Sequence, residues 1–302
     1  MYKATTWKLP ADACELGEGP HFDRETDTAW WFDIVGQNLI EHRFPENLSL
    51  VHELPRMASV IARVDAGHQL LAMENGLYLR TKSDGQLRLL APLEAENAAT
   101  RSNDGRVHPS GNLWIGTMGK NAEAGAGSIY WFDGHEIRRL YARISIPNSI
   151  CFSPDGASGY FADTGVNTIW RVALDPATGL PTSEPEVALT EKDLPLGGHF
   201  DGSVIDTDGV LWNAAYGGGS VSGFAPDGSL VQTFEVPATQ TTCPCFVGAE
   251  LDKLLVTSAW QGYSTTERAA DPGAGFTYVI DGKFKGQADP AFDLKIDDIQ
   301  LI

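Results

Sequence analysis

Short apolar runs bounded by Gly, Pro, Asp or Asn recur along the whole chain, and few segments keep the three-and-four spacing of an amphipathic helix. A bulky apolar pair follows a turn in Trp30-Trp31, Leu70-Leu71, Leu113-Trp114, Tyr160-Phe161, Leu211-Trp212 and Leu254-Leu255, with first members 40, 43, 47, 51 and 43 residues apart. A second apolar segment follows most pairs, as in Gly127–Phe132, Asn167–Val172 and Gly219–Phe224. Asp-Gly pairs such as Asp84-Gly85, Asp155-Gly156 and Asp227-Gly228 supply turns, because Gly accepts a positive φ at little cost. A strand-only repeat of about 40–50 residues has the length of a four-stranded propeller blade. The pattern therefore predicts an all-β, six-bladed β-propeller, with four-stranded blades around a central channel and residues 1–302 as one domain. A β-sandwich would give turns every 8–12 residues or so without the longer period. The alternating stretch at residues 4–9, with Trp7, precedes the first repeat. It is expected to complete the last blade around Gly275–Asp281 and so remove an open sheet edge. The tail beyond Phe284 has no place in the repeat.

Composition narrows what such a ring does. The chain carries 22 Lys+Arg against 40 Asp+Glu, a net charge of −18, and no basic cluster, so no nucleic-acid partner is expected. No run approaches the roughly 18 apolar residues of a membrane span, and Met1–Trp7 lacks the apolar core of a signal peptide. No membrane partner is expected either. The four Cys form no C-x-x-C motif, and Cys243-Pro244-Cys245 is too tight to bridge easily, which points to a reducing, cytoplasmic compartment. A monomer or small homo-oligomer is the expectation.

Aligning the strand that precedes each apolar pair brings out chemistry. Glu18, Ser59, Asn103, Asn148 and Asp201 each stand five residues before Asp23, Val64, His108, Ser153 and Asp206, and the sixth unit is expected to contribute from Cys243–Phe246. In a propeller these strands line the channel, so their starts converge at one mouth. Two carboxylates and two carboxamides around one point suit a hard divalent cation: Ca²⁺, which takes about 6–8 oxygens, or Mg²⁺, Mn²⁺ or Fe²⁺. The alternative is that these side chains hydrate a water-filled channel. A zinc site with His21 is disfavoured, because strand alternation turns His21 away from Glu18. Arg101, two residues before Asn103, faces the same mouth and suits hydroxyls or a carboxylate.

These same residues resemble the senescence-marker-protein/gluconolactonase/regucalcin family of six-bladed propellers. The resemblance rests on Leu16–Pro20, on Arg101–Gly105 running to Gly116-Thr117-Met118, on Pro147–Ser149 with Ser153–Gly156, and on Asp201-Gly202-Ser203 with Leu211-Trp212. Trp170-Arg171 and Pro244-Cys245-Phe246 also match, so that it spans roughly Cys14 to Ile280. The resemblance implies one catalytic divalent cation held by Glu18, Asn148 and Asp201, with Ca²⁺ the first choice and Mg²⁺, Mn²⁺, Zn²⁺ and Fe²⁺ open. It also implies substrate contacts from Arg101 and Asn103. Some members place an acidic contact just after the Gly-Thr-Met segment; here Asn121 stands there, with Lys120 before it and Glu123 beyond.

The implied activity is metal-dependent hydrolysis of a sugar-acid (aldono) lactone to the aldonic acid. The cation would polarise the carbonyl, and Asp201 would serve as both ligand and general base. No G-x-S-x-G elbow offers a covalent nucleophile. Two other readings stay open: hydrolysis of other lactones or organophosphates, and a non-catalytic calcium-binding propeller. Which sugar is taken depends on loops such as Gln261–Asp271 and Glu191–His199, whose course the sequence does not fix.

Overall fold

A computed structural model describes residues 4–294. Its strands form six four-stranded antiparallel sheets, the six-bladed propeller expected from the repeat. The inner strands are Gly17–Asp23, Ala58–Arg63, Thr100–Val107, Pro147–Phe152, His199–Ile205 and Thr241–Val247, for blades 1 to 6 in that order. Each inner strand packs on the inner strands of both neighbouring blades, closing a ring around the channel.

The apolar pairs that marked the period sit on the second strand of each blade. Trp31, Leu71, Trp114, Phe161, Trp212 and Leu255 are all buried. Both faces of these strands lie against neighbouring blades, so they read as continuous apolar runs rather than as alternating ones. The outermost strands, such as Leu48–Glu53 and Leu230–Glu235, mix exposed with half-buried positions. Blade 6 takes its outer strand from the other end of the chain. Thr5–Lys8 pairs antiparallel with Tyr278–Asp281, with Thr5 opposite Asp281 and Trp7 opposite Val279. Between the second and third strands of this blade, a short helix at Thr265–Ala270 stands where the sequence showed only a loop. Ser264 and Glu267 cap it reciprocally.

The tail that the repeat left unplaced crosses the lower end of the channel. The Gly286 amide donates to Leu251 O in blade 6, and Lys285 O accepts from the Thr207 amide in blade 5. Beyond the axis, the Phe292 amide donates to Arg63 O in blade 2, and the Phe292 ring stacks on Phe132 of blade 3 at 5.4 Å. At the axis itself, Asp289 accepts from Arg106 Nη1 at 2.7 Å and lies 3.2 Å from His21 Nδ1. Cavities of about 20 and 30 Å³ flank this cluster, so the channel is nearly filled below the mouth. His21 belongs to this lower end, away from Glu18, as strand alternation requires.

Asp289 therefore acts as a strap pin. Burial works against its charge, but Arg106 and then His21 more than offset this and hold the carboxyl well below the usual range. A depressed acid contributes stability that is present above its unfolded pKa of about 4 and lost as pH falls toward the folded value. Asp289→Ala should lower urea-unfolding stability near pH 7 by about 3–5 kcal/mol, because it leaves Arg106 buried without its partner. It should also flatten the loss of stability below about pH 4. A cost under about 1 kcal/mol would mean that the strap is dispensable.

Candidate functional site at the channel mouth

Every inner strand carries a register irregularity near its start, where the backbone turns into the channel. These fall at Glu18/His21, Ala58/Val60, Ser102/Gly105, Asn148/Cys151, Phe200/Ser203 and Thr241/Pro244. An extra residue in one strand re-aims side chains that the pleat would otherwise bury between blades. The mouth residues take two positions relative to it. Asn103 and Asp201 are themselves the first unpaired residue, whereas Glu18 and Asn148 are the last paired one. In the latter two strands the next residue is left-handed: Gly19 at φ 56° and Ser149 at φ 53°. Ser149 is a non-glycine in that region, so its conformation must be held by its surroundings. Its hydroxyl donates to Asp201 O at 2.5 Å and accepts from Ser203 Oγ at 2.8 Å.

The approach to Glu18 and Asn148 is fixed by one recurring device. Asp33 accepts from the Glu15 and Leu16 amides at 3.0 and 3.1 Å, and Asp163 accepts from the Ser145 and Ile146 amides at 2.8 and 3.0 Å. Each carboxylate clasps two successive amides and ends two residues before the mouth side chain. Blades 1 and 4 thus present Glu18 and Asn148 in matching ways from opposite sides of the ring.

A hydrogen-bonded arc joins the polar groups of blades 3, 4 and 5. Arg101 Nη1 donates to Asn103 Oδ1 at 2.8 Å. Asn103 Nδ2 donates to Asn148 Oδ1 at 3.1 Å, and Asn148 Nδ2 donates to Thr164 Oγ1 at 2.8 Å. Thr164 passes the chain to Phe200 O at 2.7 Å. Asp201 stays outside it: its Oδ1 is buried with no hydrogen-bond partner among the described residues. The Asp201 carbonyl, by contrast, is held by Ser149 and Asn213, so the backbone is fixed while Oδ1 of the carboxylate is left free.

The electrostatics explain what that free carboxylate lacks. Burial, then the charge of Asp104, pushes Glu18 up to about 8, against the Gly19 amide and Arg101. Burial, then Glu18 and Asp104, pushes Asp201 well above the usual range. Arg101 falls to about 10 by burial, opposed by Glu18 and Asp201, and so keeps its charge. One guanidinium does not balance this many carboxylates in a dry site, so protons do. These residues fit a hard divalent cation. Two carboxylates match its charge, Asp201 Oδ1 is an orphaned donor, and Asn148 Oδ1 keeps a lone pair beyond the one that Asn103 uses. No three His, Cys, Asp or Glu side chains cluster in metal-holding geometry among the described residues. Any cation here would depend on the Asn148 amide.

The structure thus gathers Glu18, Arg101, Asn103, Asn148 and Asp201 at one buried mouth. It keeps Asn121 apart, exposed on the loop after Leu113–Gly119, where its Nδ2 donates to Glu123 Oε1 at 2.9 Å. Lys120 pairs with Glu74 at 2.6 Å. The sixth blade's mouth residue is Thr242, just before the expected Cys243–Phe246 stretch. Its hydroxyl donates to Gly17 O, tying blade 6 to the strand of Glu18. Sequence reasoning also missed Thr164, Asp104 and the Asp33 and Asp163 clasps. The clasps alone left a signal, as an Asp at the same place after two of the apolar pairs.

Similarity to known proteins is extensive. Residues 16–260 match the family described as the SMP-30/Gluconolactonase/LRE-like region. A Rhizobium meliloti protein, provisionally named a sugar lactone lactonase, is 50% identical over 95% of this chain and 96% of its own. An L-arabinolactonase of Azospirillum brasilense is 33% identical over 92% of each chain. The crystal structure of a calcium-binding protein, regucalcin, from Agrobacterium tumefaciens superposes with a TM-score of 0.93 at 46% identity, covering 95% of this chain and 97% of that one.

The raised carboxyls set a sign for stability. An acid raised in the folded state contributes stability that is present below its unfolded pKa of about 4 and lost as pH rises through the folded value, here about 8 for Glu18. Metal-free protein should therefore unfold at progressively lower temperature as pH rises from about 5 to 8. Glu18→Gln should flatten that slope, and saturating Ca²⁺ should abolish it. Thermal unfolding across this range checks both, and a metal-free slope of opposite sign would contradict the assignment.

Proposed function

The chain belongs to the SMP-30/gluconolactonase/LRE-like family, and from that premise we propose that it hydrolyses sugar-acid lactones with one divalent cation held by Glu18, Asn148 and Asp201. The observation that carries this reading is the Asp201 carboxylate: buried, its Oδ1 without a hydrogen-bond partner among the described residues, and pressed by Glu18 and Asp104, in a mouth it shares with Arg101 and Asn103. The lactone class is supported by the names of the Rhizobium and Azospirillum relatives. Calcium is the preferred ion, since the donors are all oxygens and the Agrobacterium neighbour is titled a calcium-binding protein.

When bound, the cation supplies Lewis acidity that polarises the lactone carbonyl and stabilises the oxygen as it becomes anionic. The remaining work falls to side chains. Asp201 takes a proton from the attacking water as its oxygen bonds to the carbonyl carbon. The ring C–O bond then breaks, and the proton passes to the departing ring oxygen, giving the hydroxy acid and returning Asp201 to its starting form. Arg101 spends Nη1 on Asn103 and the Ser102 carbonyl, which leaves its other donors for lactone hydroxyls. Asn103 is held by Arg101 and Asn148 and fixes the angle of approach. Glu18 stands in the opposite blade as the second negative ligand, and neutral Asn148 avoids a third charge. Asn121, on the exposed loop at the same end, would reach the bound lactone only by giving up its bond to Glu123. The four Cys are free and buried, which suits a reducing compartment.

Chelator-treated protein should lose aldono-lactone hydrolysis, measured above the spontaneous blank, by at least about 100-fold and recover it with Ca²⁺ or another divalent ion. Asp201→Asn should lower kcat by about 1,000-fold or more. Full activity after chelation would sink the metal-dependent mechanism, whereas Ca²⁺ binding without hydrolysis of any lactone would favour a purely calcium-binding role. Arg101→Ala should act mainly on substrate affinity and raise KM about 10-fold or more, while calorimetric Ca²⁺ affinity stays within about threefold of wild type.

A further inference from the structure

The hydrogen-bonded arc described so far occupies one side of the mouth. Arg101, Asn103, Asn148 and Thr164 line it from blades 3 and 4, and all are engaged with one another. The facing rim, from blade 5 across blade 6 to blade 1, is built differently. Three backbones run side by side there. Tyr216, at the end of Leu211–Tyr216, lies directly opposite His199 in the inner strand of blade 5 and forms an isolated bridge with Gln240, which leads into blade 6. Gln240 O in turn accepts from the Ala259 amide, and Ala259 bridges Leu16. Residues directly opposite across antiparallel backbones project to one face, so Tyr216 and Gln240 stand side by side.

The Tyr216 ring is half-buried and packs on the apolar cluster that contains Leu16 and Ala259, leaning from blade 5 toward blade 1. It stands at the mouth end of blade 5, because Tyr216 pairs with His199, two residues before Asp201; burial, then Asp201, Tyr263 and Glu18, push its phenol up. Its hydroxyl makes no hydrogen bond among the described residues. Gln240 Nε2 donates to Gln261 O at 3.3 Å, which fixes the amide, while its Oε1 is buried without a partner. Buried polar atoms are paired in about nine cases out of ten, so the idle Gln240 Oε1, beside a phenol with no hydrogen-bond partner among the described residues, calls for an explanation. The two groups are a phenol and a carboxamide. Both are neutral, both reach a single donor or acceptor, and together they match a neutral hydroxyl rather than an ion.

We propose that Tyr216 and Gln240 form a second hydroxyl-reading wall of the mouth, facing Arg101 and Asn103, and that this wall decides which sugar lactones are accepted. The inference rests on the lactone reading and deepens it. Arg101 and Asn103 bind near the reacting carbonyl, and Tyr216 and Gln240 bind a hydroxyl at the far side of the ring or on its exocyclic carbon. A lactone lacking that hydroxyl leaves the pair unsatisfied and is rejected.

The test compares Tyr216→Phe and Gln240→Met with wild type on a panel of aldono-lactones and their single-deoxy analogues. Calcium affinity by calorimetry serves as the check that each variant is folded and its metal site intact. Wild type should prefer one hydroxylated lactone over its deoxy analogue by about 10–100-fold in kcat/KM. Each variant should shrink that ratio to about threefold or less while binding Ca²⁺ as wild type does. A ratio unchanged in both variants would overturn the proposal and leave the lactone reading standing. Absence of hydrolysis of every lactone by wild type would overturn both. A variant that loses Ca²⁺ affinity along with discrimination would also overturn the proposal, since the pair would then be supporting the metal ligands rather than touching substrate.

Discussion

Like charge without water is the constraint around which this ring is arranged. Glu18, Asp201 and Asp104 are all buried near one axis; Asp104 raises the proton affinity of Glu18, and both raise that of Asp201. Along the axis the charges alternate: the mouth carboxylates with Arg101, then Asp104, then Arg106, then Asp289 beside His21. The lower half of this column is charge-paired, although His21 Nε2 is left without a hydrogen-bond partner among the described residues. Arg106 reaches Asp289, Ile150 O and Ser203 O, and Asp104 accepts from the Ile150 and Gly105 amides. The upper half is not, and its surplus negative charge is held down by protons. A folded protein tolerates such a surplus only where burial and backbone geometry leave it no escape. Here the strand irregularities and the clasping aspartates impose that geometry.

That geometry has a near two-fold pattern within a six-fold ring. Blades 1 and 4 share a clasping Asp at the end of the second strand, a left-handed residue after the mouth side chain, and a mouth side chain that is the last paired residue. The remaining blades lack the left-handed residue. Gly19 is required in its place because a Cβ there would collide with the Ser59 carbonyl oxygen, whereas Ser149 keeps its side chain and uses it to hold Asp201. One strained residue thereby couples the positions of Asn148 and Asp201, so neither moves without the other.

Much of this was legible in the chain. The apolar pairs gave the period because the second strand of each blade is buried on both faces, which leaves a strong local signal. The mouth residues were found because each stands at a constant distance from a residue at the end of its own strand. That rule faltered at blade 6, where the strand ends in Phe246-Val247 before Gly248 and offers no polar marker, so Thr242 was passed over. The helix at Thr265–Ala270 was within reach, since Ser264 and Glu267 spell a capping box. The tail was not. Its defining contact joins Asp289 to Arg106 across 183 residues, and nothing local to Asp289 distinguishes it from a surface acid. Asn121 fared differently: the resemblance implied a substrate contact there, yet its amide is taken up by Glu123 on the exposed loop.

The division of labour around the mouth follows from which groups are already spent. On the side of blades 3 and 4, nearly every polar atom is bonded to the next, from Arg101 through to the Phe200 carbonyl. Such an arc resists rearrangement, because displacing one member leaves its neighbour unpaired in a dry site. It is suited to hold what every substrate of the reaction shares, the carbonyl and the atoms beside it. Discrimination needs groups that pay nothing when the right partner arrives and lose a hydrogen bond when the wrong one does. Idle polar atoms meet that description and committed ones do not. On the described rim the buried idle atom is Gln240 Oε1, beside the Tyr216 phenol, on segments that join blades 5 and 6 rather than within the arc. Chemistry and selectivity can then vary separately on one scaffold, since a substitution on the free rim alters what fits while the buried column keeps its charges where they are.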